Sequence, residues 1–141
     1  MPKDRRAKLT GRKGQAGFLN IPHSVLESAA YKGLDAWAVK LLVDIAGQFR
    51  GANNGDLCAT WSVMRDKGWR SPSTLSKALK QLLDGGLIQV TRQGGRNQCS
   101  LYAVTWRGID DCKGKIDVKP TKGPSALYLD LPGQSGEKQN R

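Results

Sequence analysis

The sequence is poor in the residue types that build catalytic and metal centres. It contains one histidine, His23, and three cysteines, which form no CxxC pair. A structural zinc site needs four cysteine or histidine ligands at short spacings, so we expect free thiols in a reducing compartment instead. Motifs of serine hydrolases, zinc proteases and phosphate-binding loops are also missing. We therefore expect a protein that is not an enzyme and uses neither a cofactor nor a metal.

The adjacent acids Asp110 and Asp111 do not change this expectation. A two-metal nuclease site needs several carboxylates that converge from different elements. A single acidic pair in a glycine-interrupted loop is more typical of a solvated turn.

Long apolar runs are missing as well. Hydrophobic residues make up 38% of the chain, and no run approaches the roughly 20 residues needed to span a bilayer. The N-terminal segment lacks the apolar core of a signal peptide. We expect a cytoplasmic, nucleoid-associated protein without a membrane partner, and no small-molecule site is evident.

Acidic residues are scarce relative to basic ones. The chain has 23 Lys and Arg against 12 Asp and Glu, a net charge of +11, and a net +5 lies within residues 1–20. A protein this basic usually meets a polyanion. Residues 1–17 are too polar to form a core, so we expect a flexible basic arm along phosphates or in a minor groove. The alternative is a solubilising tail. The basic arm residues that we select are Arg5, Arg6, Arg12 and Lys13.

The most informative stretch is a helix expected over residues 71–83. Ser71 suits the N-cap, Pro72 suits the first helical position, and Gly85-Gly86 suits a left-handed stop. One apolar stripe has helical spacing and consists of Leu75, Ala78, Leu79 and Leu82. The opposite face is short, polar and cationic, and consists of Ser73, Ser76, Lys77 and Lys80. Such a face suits a DNA major groove, about 12 Å wide, although an ordinary solvated helix face has the same composition.

The flanking segments complete a recognisable pattern. A short helix capped by Thr60 and stopped by Gly68 precedes the 71–83 helix, and Trp69 can plug the corner between them. Two β-prone runs, 87–92 and 99–104, follow it and enclose the loop 93–98. Earlier in the chain, Asp35 can cap a helix that extends through Arg50.

This pattern resembles the winged-helix DNA-binding domains of bacterial transcription regulators and of some phage and plasmid replication proteins. The resemblance covers about residues 34–106. It rests on Thr60, Gly68-Trp69-Arg70-Ser71, Thr74-Leu75, Ala78-Leu79, Leu82 and Gly86-Leu87-Ile88. It implies a mainly α fold with a small β-hairpin (α+β), in which three core helices carry a wing. It also implies a short strand near Leu57 that pairs with the wing.

The resulting domain organisation has three parts. We expect a flexible basic arm at 1–17, a winged-helix domain at 18–106 and an irregular tail at 107–141 that is disordered after about residue 132. Residues 18–22 are expected to form a strand or an extended lead-in, followed by a helix with Leu26 on its apolar face. In the tail, Leu127 to Leu131 are the only apolar cluster, and we expect it to dock on this chain or on a second copy.

The resemblance implies a partner, double-stranded DNA. The 71–83 helix would enter the major groove, and the wing at 87–104 would contact the backbone or minor groove. A single small module buries only about 600–1,000 Å² on DNA, which favours a homodimer or a helper protein. The alternative is a winged helix that binds another protein. Outside the arm, the candidate DNA contacts are Arg70, Ser71, Ser73, Thr74, Ser76, Lys77, Lys80, Gln81, Arg92, Arg96 and Asn97.

Overall fold

Short helices and one hairpin make up the regular structure of the chain. The computed structural model describes residues 17–130, and within them a mixed α+β arrangement of five α-helices and a two-stranded antiparallel sheet confirms the coarse fold class. The helices are α1 (His23–Leu26), α2 (Ala29–Lys32), α3 (Ala36–Ala46), α4 (Trp61–Arg65) and α5 (Pro72–Asp84). The strands are β1 (Ile88–Arg92) and β2 (Leu101–Val104), and 3-10 turns lie at Cys112–Gly114 and Leu127–Asp130. In the part described, every helix is too short or too polar to cross a bilayer.

The N-terminal segment differs from the expectation in one respect. Residues 18–22 form an extended lead-in, but two short helices, α1 and α2, follow it instead of one. The break lies at Ser28, whose Oγ accepts from the Tyr31 amide at 3.1 Å and donates to the Val25 carbonyl at 2.6 Å. Because this hydroxyl caps α2, the apolar pattern splits, and Leu26 lies on the surface instead of on the expected apolar face.

Helix α3 begins where the sequence predicts and ends early. The Asp35 carboxylate accepts from the Ala38 amide at 2.9 Å, as expected for an N-cap. The helix ends at Ala46, short of the expected Arg50. Beyond it, the Gln48 and Phe49 amides bond carbonyls three residues back, at 3.0 Å each. These tighter turns satisfy the last helical carbonyls and stop the helix.

Helix α5 matches its predicted bounds closely. Ser71 Oγ accepts from the Thr74 amide at 3.3 Å, and the helix extends from Pro72 to Asp84. Only Gly86 is left-handed, with φ of 73°, whereas Gly85 is right-handed, so the predicted stop at both glycines was half wrong. A Cβ at Gly86 would lie 2.6 Å from the Leu127 carbonyl oxygen, which explains why the chain needs glycine there.

Helices α3 and α5 pack antiparallel and form the centre of the core. Asp35, at the start of α3, contacts Gln81 near the end of α5, whereas Asp44, near the end of α3, contacts Trp69 just before α5. Between these contacts lie the buried side chains Ala38, Leu41, Leu42, Ile45, Leu75, Ala78 and Leu82. The direction of α5 is therefore determined at both ends by polar contacts and in the middle by apolar packing.

The hairpin is irregular. Val90 pairs with Tyr102, but Arg92 pairs with Leu101, so β1 carries a bulge between Val90 and Arg92. Leu57 exchanges two backbone hydrogen bonds with Tyr102, at 2.8 and 3.2 Å. The expected short strand near Leu57 is thus a single bridge that extends the hairpin on its β2 side.

A buried asparagine joins the loop before α4 to the end of the hairpin. The Asn54 side chain is fully buried; it donates to the carbonyls of Val104 and Gly108, at 3.1 and 2.8 Å, and accepts from the Val104 amide at 2.9 Å. Asp110 accepts from the Asn54 amide at 2.8 Å, so it is not the solvated turn residue that the sequence suggested. Gly55, the next residue, has a positive φ of 127°.

The tail packs back onto the helices and the hairpin. The Asp117 amide donates to the Thr91 carbonyl, and the Ala126 amide donates to the Thr105 carbonyl, each at 2.8 Å. Tyr128 is buried in the core, and its hydroxyl lies 3.1 Å from Ser24 Oγ. The expected docking of the tail cluster is therefore confirmed for Tyr128 on its own chain, while Leu131 and the end of the tail lie outside the described residues.

Candidate nucleic-acid interface

The corner before α5 is filled by an anchored tryptophan. Trp69 is 2% exposed, and its indole Nε1 donates to Asp44 Oδ2 at 2.8 Å. The Trp37 ring lies 5.1 Å away, centroid to centroid, and Lys40 Nζ lies 3.0 Å from the same Asp44 oxygen. The predicted plug is confirmed. Because Trp69 is bonded to α3, it holds the first turn of α5 in position against α3.

One face of α5 points to solvent and carries no engaged cation in its first two turns. Ser73, Ser76 and Lys77 are exposed, and their spacing places them on the side opposite the buried stripe. Arg70 is exposed just before the helix. Within residues 17–130, neither Arg70 nor Lys77 takes part in an ion pair, so both charges are available to a ligand.

Lys80 differs from Lys77 although it lies on the same face. Its Nζ is 2.9 Å from Asp84 Oδ2, four residues later, and both side chains are largely exposed. An exposed pair of this spacing contributes only about 0.3–0.5 kcal/mol, so a phosphate can displace the carboxylate. The carboxylate nevertheless lowers the positive potential at the C-terminal end of the face.

Ser71 and Thr74 are half-buried and take part in the helix cap. The Ser71 hydroxyl that accepts from the Thr74 amide lies 3.1 Å from Ser73 Oγ. A backbone amide and a hydroxyl therefore already occupy the polar atom of Ser71, which leaves it mainly a structural role at the start of α5.

Gln81 is engaged at both ends of its amide. Its Nε2 donates to Asp35 Oδ2 at 2.9 Å, and its Oε1 accepts from the Asp35 amide at 3.1 Å. The Ala38 amide, and then the Gln81 amide, hold the pKa of Asp35 below 3.8. Gln81 lies one helical turn after Lys77, but its amide joins α5 to α3.

Arg92 is likewise turned into the fold. Its Nε and NH2 donate to the Cys99 carbonyl at 3.3 and 2.9 Å, across the bulged end of the hairpin. The bulge shifts the alternation of β1, so that Ile88 and Thr91 are buried. Because its guanidinium bridges the two strands, Arg92 stabilises the hairpin more directly than it can contact a ligand.

The hairpin tip leaves two candidate residues exposed. The Gly95 amide donates to the Gln98 carbonyl at 2.9 Å and closes a two-residue turn of Arg96 and Asn97. A Cβ at Gly94 would lie 2.5 Å from the Ser100 amide nitrogen, so the approach of the strands requires glycine there. Arg96 is thus a cation at the most projecting point of the hairpin.

Comparison with known proteins adds no relative. No family model, curated protein or solved structure matches this chain. Arg70, just before α5, and Ser73, Ser76 and Lys77 in its first turns are all exposed. The side chains of Gln81 and Arg92 are instead engaged in the fold. The arm candidates Arg5, Arg6, Arg12 and Lys13 lie outside the described residues. Sequence reasoning missed Asn54; its only signal, an Asn-Gly pair, is the same as that of an exposed turn.

Proposed function

We propose that this protein binds double-stranded DNA as a winged helix-turn-helix module, with α5 in the major groove and the hairpin as the wing. The observation that carries the proposal is the outward face of α5. This face is polar and cationic, its side chains are free to contact a ligand, and the opposite face is fixed in the core. A rigid helix with a free polar face is what a major groove accommodates.

The chemistry of this face supports both kinds of DNA contact. Arg70 and Lys77 can bond phosphates or the O6 and N7 acceptors of guanine, and the serine hydroxyls can donate or accept at either. The N-terminus of α5, capped by Ser71, is the positive end of the helix dipole and would favour a nearby DNA phosphate. Lys80, next to Asp84, is placed to contact a phosphate near the end of α5.

The wing supports the same orientation with fewer residues. Arg96 and Asn97 project from the tip and can reach a phosphate or the minor groove, whereas Arg92 braces the strands behind them. The basic segment 1–17 would add sequence-independent affinity by releasing counterions.

The location of exposed apolar side chains favours DNA over a protein partner. A protein-binding surface usually has an apolar or aromatic centre. In residues 17–130, the large exposed apolar side chains lie outside α5 and the hairpin: Phe18, Leu26, Trp37, Val43 and Leu127. The protein-interaction alternative would have to use a surface other than the one that carries Arg70 and Lys77.

Selection of bound sequences from a random duplex pool tests the proposal. We expect an enriched motif. We also expect log K to fall linearly with the logarithm of the salt concentration, with a slope of about −0.9 for each phosphate contact. A two-fold symmetric motif would indicate a dimeric transcription regulator, and an unsymmetric motif would favour a replication-associated role. No enrichment, with salt-independent binding, would reject the proposal and favour the protein-interaction alternative.

Deletion of residues 1–14 separates the arm from the helix. It removes six basic residues, so affinity should fall alike on the selected motif and on random duplex, with a flatter salt dependence. If the deletion abolished the motif preference itself, the arm and not α5 would be the reading element.

A further inference from the structure

A second cationic surface lies away from α5 and the hairpin tip. It is a cleft of about 540 Å³ between the lead-in 17–20, the end of α3 and the start of the tail. Its lining includes the aromatic side chains Phe18 and Phe49, the guanidinium groups of Arg50 and Arg107, and Asn20. Among residues 17–130, no Asp or Glu lines the cleft, so its described lining is electropositive.

Both guanidinium groups are held by neutral partners. Arg107 lies over the Phe49 ring, 4.5 Å from its centroid, and the Arg50 NH1 donates to the carbonyls of Gly47 and Phe49. Within residues 17–130, neither arginine has an ion pair. Their charges are therefore fixed in position without being neutralised, which lowers the entropic cost of binding an anion.

The aromatic groups offer a second kind of contact. Phe18 is 83% exposed, the most exposed of the large apolar side chains described. An exposed aromatic ring beside two free cations matches the way in which single strands are bound, with bases on rings and phosphates on cations. The guanidinium plane stacked on Phe49 is a further platform, because bases also stack on arginine.

We infer that this cleft binds an unpaired nucleotide of a single-stranded nucleic acid. Phe18 stacks on the base, Arg50 and Arg107 bond the adjacent phosphates, and Asn20 lies within the same cleft as a hydrogen-bonding group. A paired base cannot stack in this way, because both of its faces are covered by neighbours in the duplex. The inference goes beyond the duplex contact of α5 and uses none of its residues.

Anisotropy of labelled oligonucleotides with the full-length chain tests the stacking contact. The probes are an oligothymidylate, an oligouridylate, and a DNA strand of equal length whose sites are abasic. Phe18→Ala should weaken binding of the base-containing strands about 5- to 150-fold, the range for one lost stacked base. The abasic strand should bind the unchanged protein more weakly by a similar factor and should be indifferent to Phe18→Ala. Comparing the two unmodified strands shows whether DNA or RNA is preferred.

Three control variants keep the result specific. Phe18→Tyr retains the ring and should retain affinity, and Val43→Ala, a truncation at another exposed apolar residue, should have no effect. Arg107→Gln should weaken all strands, including the abasic one, and reduce the salt slope by about 0.7 for a single-strand phosphate contact. Phe18 is exposed, so its variants should melt at the temperature of the unchanged protein.

The outcomes for the cleft and for the duplex proposal are separable. Lys77→Ala should leave single-strand binding unchanged, and Phe18→Ala should leave duplex binding unchanged. Equal weakening of the base-containing and abasic strands by Phe18→Ala would overturn the inference, since stacking would then contribute nothing. Displacement of the strands by an oligoglutamate of equal charge, at equal concentration, would overturn it as well and reveal a general anion surface.

Discussion

Helix α5 and the hairpin display their candidate contacts in different ways. On α5, the residues that support the fold and the residues that face solvent lie on opposite sides of one cylinder, so Lys77 is free while Leu75 is buried. On the hairpin, the two roles alternate along a bulged strand, and Arg92, a basic residue like Arg96, is engaged by the Cys99 carbonyl. On α5, the helical period places a cation on the solvent side, where a ligand can reach it. On the hairpin, a cation is available to a ligand only at the tip.

The supports behind the two elements also differ. Helix α5 rests on α3 through Trp69, Gln81 and the apolar stripe between them. The hairpin rests on Asn54 and on the tail, through backbone hydrogen bonds to Thr91 and Thr105. Substitutions at supporting residues and at exposed residues therefore test one difference between the two elements. In α5, stability and DNA affinity should depend on different residues, whereas in the hairpin both kinds of residue occur along the same strand.

The largest effect should come from Trp69→Ala, which removes the support at the start of α5. We expect a loss of about 3–5 kcal/mol in the free energy of unfolding, because a buried aromatic and its bond to Asp44 are both lost. Thermal or urea unfolding measures it. Trp37→Ala, a change at a half-exposed ring on the same cluster, is the control and should cost clearly less. An unchanged melting temperature for Trp69→Ala would show that α5 does not depend on this corner.

Tyr128→Ala should loosen the docked tail, whose Ala126 amide bonds the Thr105 carbonyl at the end of the hairpin. The side chain is buried and bonded to Ser24, so we expect a loss of roughly 3 kcal/mol in unfolding free energy. Leu127→Ala, next to it but exposed, serves as the control and should have little effect. Hydrogen exchange should show the backbone amides of residues 101–104 opening more often in Tyr128→Ala. Unchanged exchange would mean that the tail does not brace the hairpin.

Lys77→Ala should leave stability unchanged and reduce DNA affinity. If Lys77 reads a base edge, the loss should be about 1–3 kcal/mol on the selected site and smaller on random duplex. Lys80→Ala, one turn later, should weaken both duplexes alike if Lys80 contacts a phosphate, as we propose. Lys122→Ala, an exposed lysine in the tail, should affect neither. Unchanged affinities for both Lys77→Ala and Lys80→Ala would remove α5 from the DNA interface.

Arg96→Ala and Arg92→Ala should separate contact from support in the hairpin. Removal of Arg96 should lower the salt slope of duplex binding by about 0.9 at constant stability, since one phosphate contact is lost. Removal of Arg92 should lower unfolding free energy by about 1 kcal/mol, because its bonds to the Cys99 carbonyl are lost. The reverse result would show that the bulge does not decide which arginine faces the ligand.

The smallest effect should appear at the Asp35–Gln81 contact. The pKa of Asp35 is lowered in the folded chain, so the ionised carboxylate stabilises the fold above pH 3.8, and this contribution is lost as the pH falls through the lower, folded value. Asp35→Asn should therefore lose less stability than the unchanged protein between about pH 5 and about pH 2. Gln81→Ala should reduce the same acid dependence without changing DNA affinity. A Gln81→Ala protein with weakened duplex binding would place Gln81 in the interface.

The sequence was sufficient to predict where helices begin and which side of each helix is buried, because both depend on residues close together in the chain. Ser71, Asp35 and Thr60 are caps because each side chain reaches an amide only three residues away, and the stripe of α5 follows from a fixed rotation per residue. The coarse α+β class was expected from the resemblance, and the buried position of Trp69 from its place between two short helices. The bridge at Leu57 was expected only from the resemblance to winged helices, because a three-residue apolar run does not by itself predict a strand.

Only the tertiary structure decided which polar residues the fold itself uses. Asn54 is a buried anchor, not an exposed turn residue, because carbonyls 50 to 54 residues later converge on its amide. Gln81 and Arg92 are engaged by Asp35 and Cys99, and the second of these contacts depends on a bulge that strand alternation does not encode. Arg107 reaches Phe49 only because the tail returns past the end of α3. Local periodicity determines the side of an element on which a residue lies, whereas contacts between distant segments determine whether its charge remains free.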